Sequence, residues 1–242
     1  RVIGSNADLM VFDFEVPVLL SLAGAGSMLP GSPERKALLD RLGVDGTRFA
    51  WVQQEHTTRI VHARPGMAGV ADGLHTGDRS MVMGVTVADC MPIVVADRLR
   101  GCVALLHSGR RGTGIVREAV QLLQRTYGSR VEDLVVLLGP AISVTQYEVD
   151  AETAARFAAE VGAGTVQEIG GRYHVDMRTA NRRICAELRV GAVKDAELCT
   201  YSSPEMGSYR REGNRYTRML MLAGGIDIGR VTQVVGQTDA DQ

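Results

Sequence analysis

Three short segments of this chain place a metal-capable or nucleophilic side chain where an apolar strand pattern gives way to a loop. They are Gln54-Glu55-His56, Thr86-Val87-Ala88-Asp89-Cys90-Met91-Pro92 and Leu105-Leu106-His107-Ser108-Gly109-Arg110-Arg111-Gly112. Strand-to-loop junctions along one edge of a sheet are where sites usually assemble. His56, Cys90 and His107 are donors of the kinds zinc takes. A catalytic zinc holds three such protein ligands and leaves the fourth position to water. No two of the three share a local motif, so ordinary core packing of a thiol and two hydrogen-bonded imidazoles stays open on spacing alone. Cys90 beside His107 would also suit a metal-free thiol hydrolase or amidase, with the imidazole activating the nucleophile.

The turn Ser108-Gly109-Arg110-Arg111-Gly112-Thr113-Gly114 leads into a helical pattern. Its glycines allow close backbone approach, and a helix N-terminus with two arginines favours an anion such as phosphate. It lacks the Lys-Ser/Thr ending of a P-loop, and a solvated basic turn is the plain alternative. Ser208-Tyr209-Arg210-Arg211-Glu212-Gly213, followed by Arg215 and Arg218, interleaves Arg and Tyr as a second anion clamp or lid would. His62 and His75 fall in polar loop patterns, and His174 falls in a strand pattern. Without nearby partners, these three read as structural. Cys102, Cys185 and Cys199 read as core thiols.

These residues must be held by the elements around them. Apolar runs rich in β-branched residues predict strands at 9–14, 16–22, 49–53, 81–87, 92–96, 102–106 and 134–138. Several are apolar throughout, which predicts sheets covered on both faces. Helical spacing predicts helices at 113–127, 151–161 and 36–42, and one capped by Asp176 with a stripe of Met177, Ala180, Ile184 and Leu188. Strands and helices mix without strict βαβ alternation, which predicts an α/β (α+β) class with sheets packed between helices. Residues 24–33 read as a loop, and Gly224-Gly225 opens a polar tail, about 226–242, expected to fray.

The 242 residues suffice for one large domain. Hydrophobic residues at 45% exclude disorder of the whole chain. A net charge of −1 and 5% aromatic residues argue against a nucleic-acid partner. No apolar run reaches the roughly 20 residues of a membrane span, and residues 16–25 make a poor signal peptide. Four sparse cysteines without a CxxC pair fit a reducing, cytoplasmic setting.

Taken together, the motifs resemble the laccase-domain proteins, also called the YfiH/YlmD-like or polyphenol-oxidase family. That pattern runs Q-x-H-G, A-D-A-x-x-T, T-A-D-C-x-P, H-A-G-W-R-G, G-P-x-I, Y-E-V and S-Y-R-R-D-G. Here stand, in the same order, Gln54-Glu55-His56-Thr57, Ala71-Asp72-Gly73 ending at Thr76, Val87 to Pro92, and His107 to Gly112. Gly139-Pro140-Ala141-Ile142, Tyr147-Glu148-Val149 and Ser208 to Gly213 complete the set. The departures are Thr57 for Gly, Arg110 for Trp, Met206 and Gly207 for paired aromatics, and no N-terminal F-S-T-R-x-G-G.

The resemblance implies a single-domain, four-layer α/β/β/α sandwich with mixed sheets, similar to a toxin class of Cys–His hydrolases. It implies a zinc site of His56, Cys90 and His107, with copper possible and polyphenol oxidation as an older label. It implies phosphorolysis of adenosine, inosine and methylthioadenosine, and adenosine deamination, with purine nucleoside and phosphate as partners in a monomer or homodimer. Some members are linked to editing a peptidoglycan precursor, and a silent binding protein would keep the same fold. On this reading Cys90, His107 and Asp89 are the catalytic candidates, Asp89 as proton shuttle. Gln54, Arg111, Arg210 and Arg211 are the candidates for holding substrate or phosphate.

Overall fold

The computed structural model describes residues 1–236. In chain order the elements are β1 (Val2–Ser5), β2 (Leu9–Phe12), β3 (Val18–Ser21), α1 (Pro33–Arg41), β4 (Phe49–Gln53), β5 (Ile60–His62), β6 (Gly66–Val70), β7 (Gly73–Thr76), β8 (Val82–Val87), β9 (Met91–Asp97) and β10 (Val103–Ser108). There follow α2 (Ile115–Tyr127), β11 (Leu134–Leu138), β12 (Glu148–Val149), α3 (Ala151–Val161), β13 (Val166–Ile169), β14 (Arg172–Val175), α4 (Met177–Leu188), β15 (Ala192–Asp195), α5 (Tyr209–Glu212), β16 (Met219–Gly224) and α6 (Ile228–Gly236).

The strands form a sheet in the order β1-β2-β3-β16-β8-β4-β6, a second in the order β15-β11-β9-β10-β7-β5, and a small third, β12-β14-β13. Both large sheets are mixed, because β4 pairs in parallel with β6 and β8, and β11 with β15. The strand period of two divides each apolar run between two faces. Met10, Phe12, Met219 and Met221 of the first sheet meet Val94, Ala96, Val103 and Leu105 of the second. Leu9, Val11, Leu220 and Leu222 turn outward against Leu38 of α1, Leu42 just after it, and Val231 and Val234 of α6. On the far side Ile93, Val95, Ala104 and Leu106 turn toward Val116, Ala119, Val120 and Leu123 of α2 and Ile184 of α4. The result is helix, sheet, sheet, helix in four layers, the mixed α/β arrangement expected.

The helix ends follow from their sequences. The Ser32 side chain accepts from the Arg35 amide at 3.2 Å, with Pro33 opening α1. Asp150 and Asp176 accept from the Thr153 and Thr179 amides at 2.7 and 2.9 Å. Such caps satisfy amide donors that the first helical turn leaves unpaired.

Two expectations are corrected. His62 and His75 lie on strands β5 and β7, whose shortness and glycines hide the strand pattern. The segment after Gly225 does not fray at once: α6 buries Val231 and Val234 in the first sheet's outer core. Val231, Val234 and Val235, at helical spacing on one face, outweigh the local polarity. The rest of that tail, 237–242, lies outside the described residues. No helix among the described residues is long and apolar enough to cross a membrane.

Candidate metal and substrate site

β4, β8 and β10 bring their loop ends to one edge of the sandwich. His56 follows β4, Cys90 sits in the turn from β8 to β9, and His107 lies near the end of β10. Among the described residues this is the one His/Cys/carboxylate group arranged to hold a metal, with ligand atoms within 4.8 Å of one another. His56 Nε2 stands 3.9 Å from Cys90 Sγ, and the two imidazoles meet edge to face at 4.9 Å.

A tetrahedral zinc with Zn–N near 2.0–2.1 Å and Zn–S near 2.3 Å spaces its ligand atoms roughly 3.4–3.6 Å apart, so shifts of about 1 Å close this set. The donors fit the group. Gly109 makes room for them: a Cβ there would lie 2.8 Å from His56 Cδ2 and 3.0 Å from Cys90 Sγ.

Asp72, fully buried before β7, organises the trio. Its carboxylate accepts from His107 Nδ1 at 2.8 Å and from the amides of Glu55, His56 and Thr57 at 3.2, 3.0 and 2.7 Å. The Thr57 hydroxyl adds a donor at 2.8 Å, which gives this departure from the family pattern a structural use. Burial works to raise the Asp72 acid, but His107 and Thr57 outweigh it and hold it down at about 2. With His107 Nδ1 engaged, Nε2 is the nitrogen left to face a metal, the usual way a carboxylate fixes a ligating imidazole. His56 takes φ of 61°. That left-handed conformation is costly for a residue with Cβ and is held here by the bond to Asp72.

Burial opposes the charged forms of both Cys90 and His107. Yet the two face each other, and the thiol is pulled below its usual range while the imidazole is held above its own. Without a metal the pair therefore favours thiolate and imidazolium, which suits nucleophilic chemistry, and a bound metal would take the thiolate and displace the proton from His107 Nε2.

Over this group opens a cavity of about 640 Å³. Its wall includes Arg110, Arg111, Arg210, Arg218, Tyr147, Tyr209 and Tyr216. Among the described residues the Arg111 guanidinium has no partner, and Arg218 stacks on Tyr216 at 4.2 Å. Arg210 crosses the Tyr147 ring at 5.3 Å, and Tyr209 meets Tyr216 edge to face at 5.1 Å.

The geometry reassigns three expected residues. Asp89 lines the cavity, but its oxygens accept from the Thr200 hydroxyl at 2.6 Å and the Arg210 amide at 2.7 Å. At φ of 80° it is a strained anchor rather than a free proton shuttle. Gln54 spends its amide on Thr86, donating to the carbonyl at 2.8 Å and accepting from the Thr86 amide and hydroxyl at 2.8 and 2.9 Å. It extends the pairing of β4 with β8 and lines the cavity with its amide already engaged. Arg211 turns away from the cavity and ties the loop before it through the carbonyls of Thr200, Tyr201, Ser203 and Met206.

Sequence reasoning missed Asp72 and Tyr216. Asp72 stood inside the quoted Ala71-Asp72-Gly73 motif, but only the pairing of β7 with β10, which sets Gly73 opposite Leu106, carries it to His107.

The family model described as multi-copper polyphenol oxidoreductase laccase matches residues 32–225. A purine nucleoside phosphorylase of Deinococcus radiodurans is 31% identical over 196 residues, covering 81% of this chain and 77% of that protein. One of Mycobacterium bovis is 31% identical over 183 residues, covering 74% and 73%. Among solved structures, YlmD from Geobacillus stearothermophilus superposes with a TM-score of 0.84 at 23% identity, over 93% of this chain and 99% of that one. The hypothetical protein YfiH of Bacillus licheniformis gives 0.82 at 21% identity, over 90% and 97%. These likenesses agree with the motif order, the four layers and the converged His–Cys–His group, and the chain belongs to the multi-copper polyphenol oxidoreductase laccase family.

Proposed function

We propose that this chain is a zinc-dependent purine nucleoside phosphorylase, cleaving adenosine, inosine or methylthioadenosine with inorganic phosphate. One observation carries the reading: a single cavity joins the His56–Cys90–His107 group to the unpartnered Arg111 and to Arg218. The relatives named purine nucleoside phosphorylase support it. A metal bound by the three ligands supplies a Lewis acid that polarises an oxygen or acidifies a water; copper, which such ligands generally bind more tightly than zinc, is the competing occupant.

The chain's own residues do the rest. Asp72 holds His56 and His107 in place and fixes the His107 tautomer. Arg111 and Arg218 hold phosphate and balance its charge near the ribose C1′, and preorganised charge of this kind is where most rate enhancement arises. Tyr209 and Tyr216 offer ring faces and edges to the purine. Ile142 and Met177 line the same cavity and help to exclude water. Deamination needs a carboxylate to shuttle protons. Among the described residues lining the cavity the only carboxylate is Asp89, which is engaged by Thr200 and Arg210. The geometry therefore favours phosphorolysis.

Incubation of the purified protein with each nucleoside, with and without phosphate, tests this. Free base and ribose 1-phosphate are expected only with phosphate, and removal of the metal abolishes them. Inosine formed from adenosine without phosphate would signal deamination instead. No release by fully metal-loaded protein would overturn the reading and favour a silent binder. The Cys90–His107 pairing supports a second reading, a metal-free thiol hydrolase or amidase. It predicts rapid capture of Cys90 by iodoacetamide in protein that contains no metal.

A further inference from the structure

Arg110 and Arg210 share one wall of the cavity, against Tyr147. Both also line a shallower recess that continues from it between Tyr147 and the start of α3. Two nitrogens of Arg210 donate to the carbonyls of Gln146 and Glu148 at 3.3 and 3.0 Å, which fixes the group without neutralising it. The carboxylates of that recess have other hydrogen-bond partners, and Asp150 feels the Arg110 charge without pairing with it. Glu148 pairs with Arg172 at 2.9 Å, and Asp150 caps α3 through the Thr153 amide and hydroxyl at 2.7 and 3.0 Å. Neither Arg110 nor Arg210 has a carboxylate at ion-pair distance among the described residues.

Two like charges on one wall repel, Arg110 half-buried and Arg210 open to solvent. An anion between them removes that cost and gains charge-assisted hydrogen bonds. Inorganic phosphate already accounts for Arg111 and Arg218. The second pair has no use in the phosphorolysis of a neutral nucleoside.

We infer that the preferred substrate is a purine nucleoside monophosphate, its own phosphate monoester held between Arg110 and Arg210. This rests on the phosphorolysis reading and names its substrate class. A dianionic monoester matches two guanidiniums better than a carboxylate does. A cavity of about 640 Å³ lies within the usual range for small-molecule sites. In the reaction an oxygen of inorganic phosphate bonds to C1′ as the C1′–N9 bond breaks. The electron pair leaves with the purine, which takes up a proton. The products are free base and ribose 1,5-bisphosphate, and nothing is oxidised or reduced.

Titration calorimetry tests this with adenosine 5′-monophosphate, adenosine and adenosine 5′-carboxylate on the metal-replete protein and on Arg110→Met. The monophosphate is expected to bind wild type at least ten-fold tighter than adenosine, with the carboxylate between them. Arg110→Met brings the ratio to within about two-fold. Arg110→Lys retains part of it, which separates loss of charge from loss of packing. Equal affinities in wild type, a carboxylate that matches the monophosphate, no detectable binding, or a ratio that survives Arg110→Met would each overturn the inference. Base release is read separately. A monophosphate preference that depends on Arg110, without phosphate-dependent release of base, supports the anion site and sinks the phosphorolysis reading instead.

Discussion

Asp72 accepts five hydrogen bonds from the segment 55–57 and from His107, and it does so without any contact with solvent. A buried carboxylate is tolerable only when its lone pairs are filled by donors, as they are here. Asp72→Asn keeps the shape but turns one acceptor into a donor facing other donors. Metal affinity is expected to fall by about 10–100-fold, and stability by about 1–3 kcal/mol. Competition with a chromogenic chelator and thermal denaturation check the two effects. Unchanged metal affinity would show that Asp72 does not orient His107. At this scale the sequence supplied the metal-capable residue types but not their directions. Asp89, Gln54 and Arg211 carry suitable chemistry, yet hydrogen bonds to Thr200, Thr86 and the loop 200–206 turn each toward support. Such partners are distant in sequence and follow from strand register.

At the scale of elements, the long apolar runs were legible because both faces of each large sheet are covered, so β8, β9, β10 and β11 read as continuous hydrophobic stretches, whereas the equally apolar β16, close behind the Arg-rich segment 210–218, was missed. β5, β6 and β7 were not, being short, glycine-bearing and set by pairing rather than by pattern. His75 on β7 illustrates what that concealed. It is buried against Tyr127 of α2, its Nδ1 2.9 Å from the Tyr127 hydroxyl and its ring 5.1 Å from His62. Burial, and then the charge of His62, lower its proton affinity to about 4, against about 6.5 for an exposed imidazole. The unfolded chain therefore binds more protons between these values, and this contribution to stability is lost as pH falls from about 6.5 through about 4. Wild type is expected to lose on the order of 2–3 kcal/mol over that range beyond what His75→Gln loses. Parallel denaturant titrations at each pH read the difference, and identical pH slopes would refute it.

For the whole molecule, stability rests on three apolar layers of packing, and the chain after Gly225 supplies part of one. Val231 of α6 is buried among Leu9, Leu220 and Leu222 of the first sheet. Val231→Asp puts an unpaired charge into that layer. It is expected to cost about 3 kcal/mol or more, which in a chain of this size lowers Tm by roughly 6–12 °C. A shift below about 2 °C would mean that α6 lies on the sheet without stabilising it. The two sheets matter for function because their common edge is where β4, β8 and β10 deliver His56, Cys90 and His107. Fold class and layer order followed from composition, run length and resemblance. The convergence of the three ligands depends on how the two sheets stack, which no local pattern encodes.

That convergence is tested most directly by the metal content of the untagged protein, measured by mass spectrometry on wild type beside Cys90→Ala, with circular dichroism confirming the fold of both. The account predicts close to one zinc per chain in wild type and less than about a tenth of that in the variant. Well-folded wild type without metal, or a variant that retains it in full, would contradict a site built from His56, Cys90 and His107.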